Sequence, residues 1–173
     1  MEKKVARQNL YSDIFRQPTR KEIRDFLVKI PLFEGIRKNE ILYLVSLMYK
    51  RTFNPGEVVF VEGDLGMAMY IILEGNVKIL KSVKKGKNQI LQEVTSLKRK
   101  SFFGEMSLLT QEPRSATASI PSKTTLLCFF KKDLDHVLIK HPHTGLKLMR
   151  NLAKVLARRL QDANEHLEEL NKR

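Results

Sequence analysis

Long apolar runs and cysteines are nearly missing from this sequence. No run of about 18 or more apolar residues occurs, so no segment is long enough to span a membrane as a helix. The first residues, Met1–Lys4, lead into a polar stretch and not into the apolar core of a secretory signal. The one cysteine, Cys128, cannot form an internal disulfide, and its apolar surroundings predict a buried, unreactive side chain. We therefore expect a cytoplasmic protein.

Catalytic and metal-binding patterns are also scarce. The four histidines are scattered along the second half of the chain, at His136, His141, His143 and His166. The two that flank Pro142 lack the further ligands that a metal site needs. The hydroxyl residues Ser107, Ser115 and Thr117 have no histidine at a spacing that would activate them as nucleophiles. We therefore expect neither a metal site nor an enzyme.

Positive charge is abundant. The chain has 32 lysines and arginines against 19 acidic residues, which gives a formal net charge of +13. Many of these cations lie in the N-terminal segment (Lys3, Lys4, Arg7, Arg16, Arg20, Lys21, Arg24) or in central loops (Lys81, Lys84, Lys85, Lys87, Lys98, Arg99, Lys100). This charge fits either a solvated surface or one that binds an anionic partner. No segment has the pattern of an element that reads bases in a groove, so sequence-specific DNA binding is not expected.

The central region has the pattern of a small β structure. Turn signals at residues 55–57, 63–64 and 74–75 separate short apolar runs. The runs that predict strands are Val58–Val61, Met69–Leu73, Val77–Leu80, Ile90–Val94 and Thr124–Phe130. Many short strands joined by glycine-bearing turns favour a barrel or sandwich, and helical patterns lie on both sides of this region. At 173 residues, the chain is long enough for one domain with a buried core and extensions.

The stretch Phe103–Leu109, followed by Pro113–Thr117, is the most informative part of the sequence. It places a carboxylate, Glu105, and a guanidinium, Arg114, nine residues apart across a short apolar turn. Gly104 has no Cβ, so the backbone there can approach a ligand closely. Arg114 can hold an anion with two parallel hydrogen bonds, and Glu105 can accept hydrogen bonds from hydroxyls. A ligand with one phosphate beside one free sugar hydroxyl meets both demands.

Residues Phe103–Thr117 resemble the phosphate-binding cassette of cyclic nucleotide-binding domains. That family includes bacterial cAMP receptor proteins, protein kinase A regulatory subunits and cyclic nucleotide-gated channels. Pro31–Phe33 matches the segment that leads into the family's β-roll, and the resemblance covers residues 26 to 165. It implies an α+β fold, with an eight-stranded antiparallel β-roll (similar to a jelly roll) flanked by N-terminal helices and a long C-terminal helix. It also implies cAMP, or else cGMP, as the ligand.

The resemblance assigns roles to several residues. Glu105 is expected to bind the ribose 2′-hydroxyl and Arg114 the cyclic phosphate. Backbone amides near Ser107, together with Ser115, are expected to add phosphate contacts. The full set of expected binding residues is Phe103, Gly104, Glu105, Met106, Ser107, Arg114, Ser115, Ala116 and Thr117 in the cassette, with Arg159 and Asn164 in the C-terminal helix. One alternative is that Glu105 and Arg114 pair only with each other; another is a roll that has lost its ligand.

The turn before the cassette departs from the family pattern. The family has Gly-Asp at the two positions that Lys100 and Ser101 occupy here. Lysine is disfavoured where the backbone needs a positive φ, because its Cβ is then crowded. We therefore expect a mildly strained turn, with an intact cassette behind it.

The C-terminal segment has the pattern of two helices. The first, Lys131–Lys140, is predicted to end at His141, because proline disfavours helix at the residue before it. In the second, apolar residues alternate in steps of three and four, at Leu146, Met149, Ala153, Leu156, Leu160, Ala163, Leu167 and Leu170. A second copy of the helix would bury this seam, which predicts a parallel homodimer through residues 146–170. The alternative is a seam that folds back onto its own roll.

Within the second helix, Ala157–Gln161 resembles the dimer helix of bacterial cAMP receptor proteins where it passes the nucleotide. By that resemblance, Arg159 pairs with Glu105, although it could equally be a solvated surface charge. Ala163 and Asn164 fall at the two positions that contact the adenine. Alanine has no hydrogen-bonding side chain, so base recognition would depend on Asn164 of the partner subunit.

These patterns divide the chain into three parts. They are a basic N-terminal helical extension (residues 1–25), a cyclic nucleotide-binding β-roll with flanking helices (26–142) and a C-terminal dimerisation or lid helix (143–173). No helix-turn-helix, kinase, channel or cyclase segment is recognisable, so the output is expected to belong to a separate effector protein. The predicted function is a cAMP or cGMP sensor that signals through its C-terminal helix. The alternatives are a ligand-free interaction scaffold and a partner in a transcriptional complex.

Overall fold

The computed structural model of the chain describes residues 18–172, apart from positions 87 and 111 and the side chains of residues 170 and 171. Within these residues the helices are α1 (Arg20–Leu27), α2 (Lys38–Leu47), α3 (Lys131–Lys140) and α4 (Pro142–Asn171), with short 3-10 helices at Pro31–Phe33 and Glu105–Leu108. The strands are β1 (Tyr49–Phe53), β2 (Val58–Phe60), β3 (Ala68–Glu74), β4 (Asn76–Lys85), β5 (Asn88–Lys98), β6 (Phe102–Phe103), β7 (Thr117–Ser119) and β8 (Thr124–Phe130). Most of the predicted N-terminal extension, residues 1–17, lies outside the described residues.

The strands form two four-stranded sheets that face each other across one hydrophobic cluster. The strand order is β1-β8-β3-β6 in the first sheet and β2-β7-β4-β5 in the second. The strand pairs of both sheets are antiparallel. Phe53 and Ile72 of the first sheet pack in one hydrophobic cluster with Val77 and Ala118 of the second. This arrangement confirms the predicted α+β β-roll.

Three of the strands were not predicted from the sequence. Strand β1 reads Tyr-Lys-Arg-Thr-Phe, and its first four residues are exposed, so it has no apolar run to mark it. Strands β6 and β7 have only two and three residues. Such short strands depend on their neighbours in the sheet and not on a pattern of their own.

Strand β3 separates two hydrophobic cores. Its residues Met69, Ile71 and Leu73 pack in a cluster with side chains of all four helices. Ile72 and the partly buried Tyr70 belong to the cluster inside the roll. Successive side chains of a strand point to opposite faces, so a strand covered on both faces has a continuous apolar sequence instead of an alternating one.

The first half of α4 is fixed to the N-terminal elements by apolar and polar contacts. Leu148 and Leu152 are buried in the helical core. The buried Asn151 donates from Nδ2 to the carbonyl oxygens of Leu32 (3.1 Å) and Glu34 (2.8 Å). These hydrogen bonds join α4 to the segment that leads into the roll. No helix among the described residues is both long and apolar enough to cross a membrane.

The second half of α4 extends away from the core. From residue 157 to residue 169, every described side chain is exposed. The predicted seam is therefore divided, because Met149 and Leu156 pack against the chain's own core while other members stay exposed. The exposed members at intervals of seven are Leu146, Ala153, Leu160 and Leu167, which we call the apolar stripe. Ala163 is exposed as well, and the side chain of Leu170 lies outside the described residues.

Two local predictions are confirmed. Helix α3 ends at Lys140, and α4 begins at Pro142. In the turn before the cassette, Lys100 has a φ of 75°, the one positive φ of a non-glycine residue in the described chain. The backbone there is held by two hydrogen bonds with Ile72, from the Lys100 amide (3.0 Å) and to the Ser101 carbonyl (2.9 Å). The surrounding sheet thus imposes the conformation that lysine disfavours.

Candidate functional site

A cavity of about 580 Å³ opens beside the 3-10 helix Glu105–Leu108. It lies between the second sheet, the cassette and α4. The lining residues are Phe60, Ile79, Thr95, Leu97, Phe103, Gly104, Glu105, Met106, Ser107, Thr110, Glu112, Pro113, Arg114, Ser115, Ala116 and Arg159. Small-molecule sites occupy about 300–1,000 Å³, so the cavity has the size of a ligand site.

Arg114 is the buried cation of this cavity, with only 7% of its surface exposed. Its Nη1 donates to Ser107 Oγ (2.6 Å) and to the Gly104 carbonyl (3.2 Å). Its Nη2 donates to the Ala68 carbonyl (2.8 Å). These three hydrogen bonds fix the position and the plane of the guanidinium.

The hydrogen-bond partners and ring contacts of Arg114 are uncharged, although the Asp64 carboxylate also attracts its charge. The guanidinium lies 4.0 Å from the centre of the Phe60 ring and 5.7 Å from that of Tyr70. Burial lowers the pKa of Arg114, and an arginine nevertheless keeps its charge. Among the described residues, no carboxylate forms an ion pair with it. A desolvated cation without a directly paired carboxylate favours an anion beside it.

Two glycines make room for the contact between Arg114 and Ser107. Gly104 has a φ of 72°, and a Cβ there would lie 2.6 Å from Arg114 Nη1. A Cβ on Gly66 would lie 2.1 Å from Ser107 Oγ. Any larger residue at either position would displace a side chain of the cassette. Gly104 was expected in the site on sequence grounds, whereas Gly66 was not.

Glu105 is paired with α4. Its side chain is buried, and Oε1 accepts a hydrogen bond from Arg159 Nη1 at 2.5 Å. Arg159 Nη2 also donates to the Phe102 carbonyl (3.0 Å), and the guanidinium lies 4.8 Å from the centre of the Phe102 ring. The predicted pair between Arg159 and Glu105 is therefore present. The alternative that Glu105 pairs with Arg114 is wrong for this structure.

The structure brings together most of the residues expected to form the site. Those that line the cavity are Phe103, Gly104, Glu105, Met106, Ser107, Arg114, Ser115, Ala116 and Arg159. Thr117 is buried outside the lining, and its Oγ1 accepts a hydrogen bond from the Glu62 amide (3.0 Å). Asn164 is exposed on α4 beyond Arg159 and does not line the cavity of its own chain.

A further cation lies at the edge of the cassette. Lys81 on β4 donates from Nζ to the Ser115 carbonyl (2.8 Å) and lies 3.6 Å from Glu62 Oε1. Glu62 Oε2 accepts a hydrogen bond from the Ser82 amide (2.9 Å). Lys81 thus stabilises the backbone beside Arg114. The sequence showed Lys81 only as one of a cluster of basic residues and did not predict this contact.

Several residues in or near the wall of the cavity could not be identified from the sequence. Phe60 and Tyr70 present their rings to Arg114, but each looks like an ordinary apolar strand residue. Ile79, Thr95 and Leu97 come from β4 and β5, far from the cassette in sequence. Among the described residues, no group of three or more His, Cys, Asp or Glu side chains could hold a metal ion.

Comparison with known proteins agrees with this geometry. A sequence model described as the cyclic nucleotide-binding domain matches residues 50–141. The chain is 34% identical over 141 residues to the cyclic AMP receptor protein of Thermus thermophilus, covering 82% of this chain and 62% of that protein. The crystal structure of the catabolite activator protein of Thermus thermophilus has a TM-score of 0.71 at 33% identity, covering 82% of this chain and 63% of that one. A cyclic nucleotide-binding domain from Methylobacillus flagellatus has a TM-score of 0.74 at 26% identity, covering 85% and 81%.

The matched residues include the functional part of the fold. Residues 50–141 extend from β1 to the end of α3 and contain the whole cassette. The chain spans about three fifths of the length of the Thermus receptor, at 62%. The matching family is a regulatory, ligand-binding domain and not a catalytic one. This chain belongs to the cyclic nucleotide-binding domain family.

Proposed function

We propose that this chain is a regulatory module that binds a cyclic nucleotide, cAMP in the first place, in the cavity of its cassette. The observation that carries the proposal is the environment of the Arg114 guanidinium. It is a buried cation with neutral hydrogen-bond partners, and it shares a cavity wall with the buried carboxylate of Glu105. A cyclic nucleotide offers one charged phosphate next to one free hydroxyl, which matches this pair of groups.

The cyclic phosphate is proposed to bind at Arg114. Two of its nitrogens are already held by the protein, so the guanidinium is ordered before a ligand arrives. The remaining nitrogen, Nε, is buried and has no acceptor among the described residues. A phosphate oxygen seated against the guanidinium would supply both an acceptor and a counter-charge.

The ribose 2′-hydroxyl is proposed to bind at Glu105. A carboxylate has about four acceptor sites, so Glu105 can accept from a hydroxyl and keep its hydrogen bond with Arg159. Arg159 then holds the carboxylate in one orientation. Because Arg159 belongs to α4, a ligand that contacts Glu105 would be coupled to the position of α4 through this hydrogen bond.

The base is proposed to pack between the sheet and α4. Ile79 and Leu97 give that part of the cavity an apolar wall, and Thr95 adds a hydroxyl. The name of the Thermus receptor favours adenine. Asn164 is proposed to contact the base of the partner subunit's ligand. Replacing Asn164 by alanine should therefore change the ratio of cAMP to cGMP affinity more than it changes the cAMP affinity itself, and an unchanged ratio would rule out this role.

The signal is proposed to leave through α4. In this proposal residues 26–142 are the sensor, residues 143–173 are the lid and dimer helix, and a separate effector protein receives the signal. The apolar stripe is the proposed contact between the α4 helices of two copies. Ligand binding can shift α4 only if the ligand prefers one position of that helix, and the pair of Glu105 with Arg159 provides the connection.

Competition binding tests this proposal. Radiolabelled cAMP is bound to the full 173-residue chain and displaced by cAMP, cGMP, 2′-deoxy-cAMP, 5′-AMP and adenosine. We expect cAMP to compete best, 2′-deoxy-cAMP to be weaker because it lacks the partner of Glu105, and 5′-AMP and adenosine to be much weaker. No saturable cAMP binding, or equal displacement by 5′-AMP, would contradict the proposal.

A further inference from the structure

A second cavity, of about 390 Å³, opens beside β1 and β8 of the first sheet. Its lining residues are Tyr49, Arg51, Phe53, Val59, Tyr70, Leu126, Cys128, Phe130 and Lys132. None of them lines the cassette cavity. The two cavities are therefore formed by different side chains of the same β-roll.

A row of side chains across the first sheet separates the two cavities. In the strand register, Tyr49 lies opposite Cys128, Cys128 opposite Tyr70, and Tyr70 opposite Phe103. The first three line the second cavity, and Phe103 lines the first. The rings of Tyr70 and Phe103 are stacked, with centres 5.3 Å apart and planes at 19°. These stacked rings form a wall between the cavities.

The interior of the second cavity is aromatic and uncharged. Tyr49 and Phe130 meet edge to face with ring centres 5.6 Å apart, and Phe53 and Tyr70 add further ring surface. Burial raises the pKa of the Tyr70 hydroxyl and of the Cys128 thiol, so both groups stay neutral at pH 7. Such a surface favours a flat aromatic body, since rings pack well in offset and edge-to-face arrangements.

Two cations stand at the edge of this cavity. The Arg51 guanidinium lies 4.2 Å from the centre of the Phe53 ring, and Lys132 Nζ lies 5.7 Å from that of Phe130. Arg51 has one ion pair among the described residues, a long and exposed one with Glu57 at 3.7 Å. Lys132 has none there. Among the described residues, Glu57 therefore balances the charge of Arg51 only in part, and Lys132 has no carboxylate partner.

We propose that this cavity is a second ligand site, which takes a small planar aromatic molecule that bears one acidic group. The rings would lie against Tyr49, Phe53 and Tyr70, and the acidic group would lie at Arg51 and Lys132. The volume of about 390 Å³ is within the range of small-molecule sites. This proposal does not depend on cyclic nucleotide binding in the cassette.

Two fluorescent probes test the site, because they share one aromatic body and differ in charge. They are 8-anilinonaphthalene-1-sulfonate and its uncharged counterpart N-phenyl-1-naphthylamine, each titrated into the full chain. We expect one saturable sulfonate site per chain. Arg51→Gln and Lys132→Gln should each weaken the sulfonate about threefold, and together about tenfold, as expected for two exposed ion pairs that act additively. Neither change should affect the uncharged probe.

Three control variants assign the binding to this cavity. Lys50→Gln removes a charge from the opposite face of β1 and should leave both probes unaffected. Cys128→Phe fills part of the second cavity and should weaken the binding of both probes. Thr95→Trp fills part of the cassette cavity and should leave the sulfonate affinity unchanged. Absence of saturable binding, equal affinity in the wild type and the Arg51→Gln/Lys132→Gln double variant, or loss of binding in Thr95→Trp would overturn the proposal.

Discussion

Arg159 of α4 donates a hydrogen bond to Glu105 of the cassette across 2.5 Å. The same guanidinium donates to the Phe102 carbonyl and lies over the Phe102 ring. The side chain of Glu105 is 8% exposed, whereas that of Arg159 is 42% exposed. A partly solvated cation on the helix therefore pairs with a buried carboxylate in the roll, at the point where the proposed ligand would bind.

The first prediction concerns this pair and the stability of the fold. Arg159→Ala should lower the free energy of unfolding by about 1–2 kcal/mol, because it leaves a buried carboxylate without its donor. Arg158→Ala, which removes an exposed neighbour, should change it by less than about 0.5 kcal/mol. Urea denaturation of the two variants gives the comparison. Equal losses would mean that Glu105 does not depend on Arg159.

A second prediction concerns the junction of α2 and α4. The pKa of Glu40 is lowered from its usual value of 4.5, chiefly because its carboxylate accepts a hydrogen bond from the Arg37 amide (2.8 Å), with Thr144 Oγ1 as a further donor (2.9 Å). A lowered folded-state pKa adds stability above about pH 4.5, and this is lost as the pH falls through the folded-state value.

Glu40→Gln should therefore be less stable than the wild type at pH 7, and the difference should shrink towards pH 3. Urea denaturation at both pH values measures it. Glu74→Gln, at an exposed carboxylate of β3, serves as the control for a general charge effect. A difference that is the same at pH 7 and at pH 3 would show that ionisation of Glu40 does not contribute.

The third prediction concerns the strained turn before the cassette. Lys100→Gly should stabilise the protein by up to about 1 kcal/mol, because glycine adopts a positive φ without a Cβ clash while its freedom in the unfolded chain offsets part of the gain. Lys100→Ala keeps the Cβ and should leave the stability nearly unchanged. Thermal unfolding of the two variants separates strain from charge. A gain of the same size in both would assign the effect to the lysine charge.

The fourth prediction concerns the apolar stripe of α4. Leu160 and Leu167 are 63% and 57% exposed in a single chain. We predict a homodimer in sedimentation velocity, and the double variant Leu160→Lys/Leu167→Lys should sediment as a monomer, because charges would replace the apolar contact. Asp162→Lys/Glu169→Lys, which changes residues on the opposite side of the helix, should remain a dimer. A monomeric wild type would contradict the proposed interface.

Sequence and structure agree most closely where the local chemistry is strong. Met69–Leu73 forms part of β3 because both of its faces are buried, and Pro142 separates α3 from α4 because its ring cannot continue the preceding helix. The spacing of Glu105 and Arg114 predicted that both would line one cavity, and they do. These features depend on a few adjacent residues, so they are visible in the sequence.

Other parts of the fold depend on contacts between distant residues. Strand β1 has polar side chains and exists because β8 pairs with it. Gly66 is needed only because Ser107, forty-one positions later, packs against it. The rings of Phe60 and Tyr70 acquire their role from the position of Arg114. No local pattern encodes such contacts, and the pairing of Arg159 with Glu105 was expected only through the family resemblance.

Isothermal titration calorimetry of cAMP and cGMP into the nucleotide-stripped protein tests the proposed cassette site most directly. We predict one site per chain in the wild type. Arg114→Gln should lose about 2–5 kcal/mol of binding free energy, because the phosphate would lose its buried cation. Lys84→Gln, which removes an exposed cation of β4 outside the cavity lining, is the control and should bind almost as the wild type does. Titrations without heat together with no thermal shift, or equal affinity in the wild type and Arg114→Gln, would contradict the cassette as a cyclic nucleotide site.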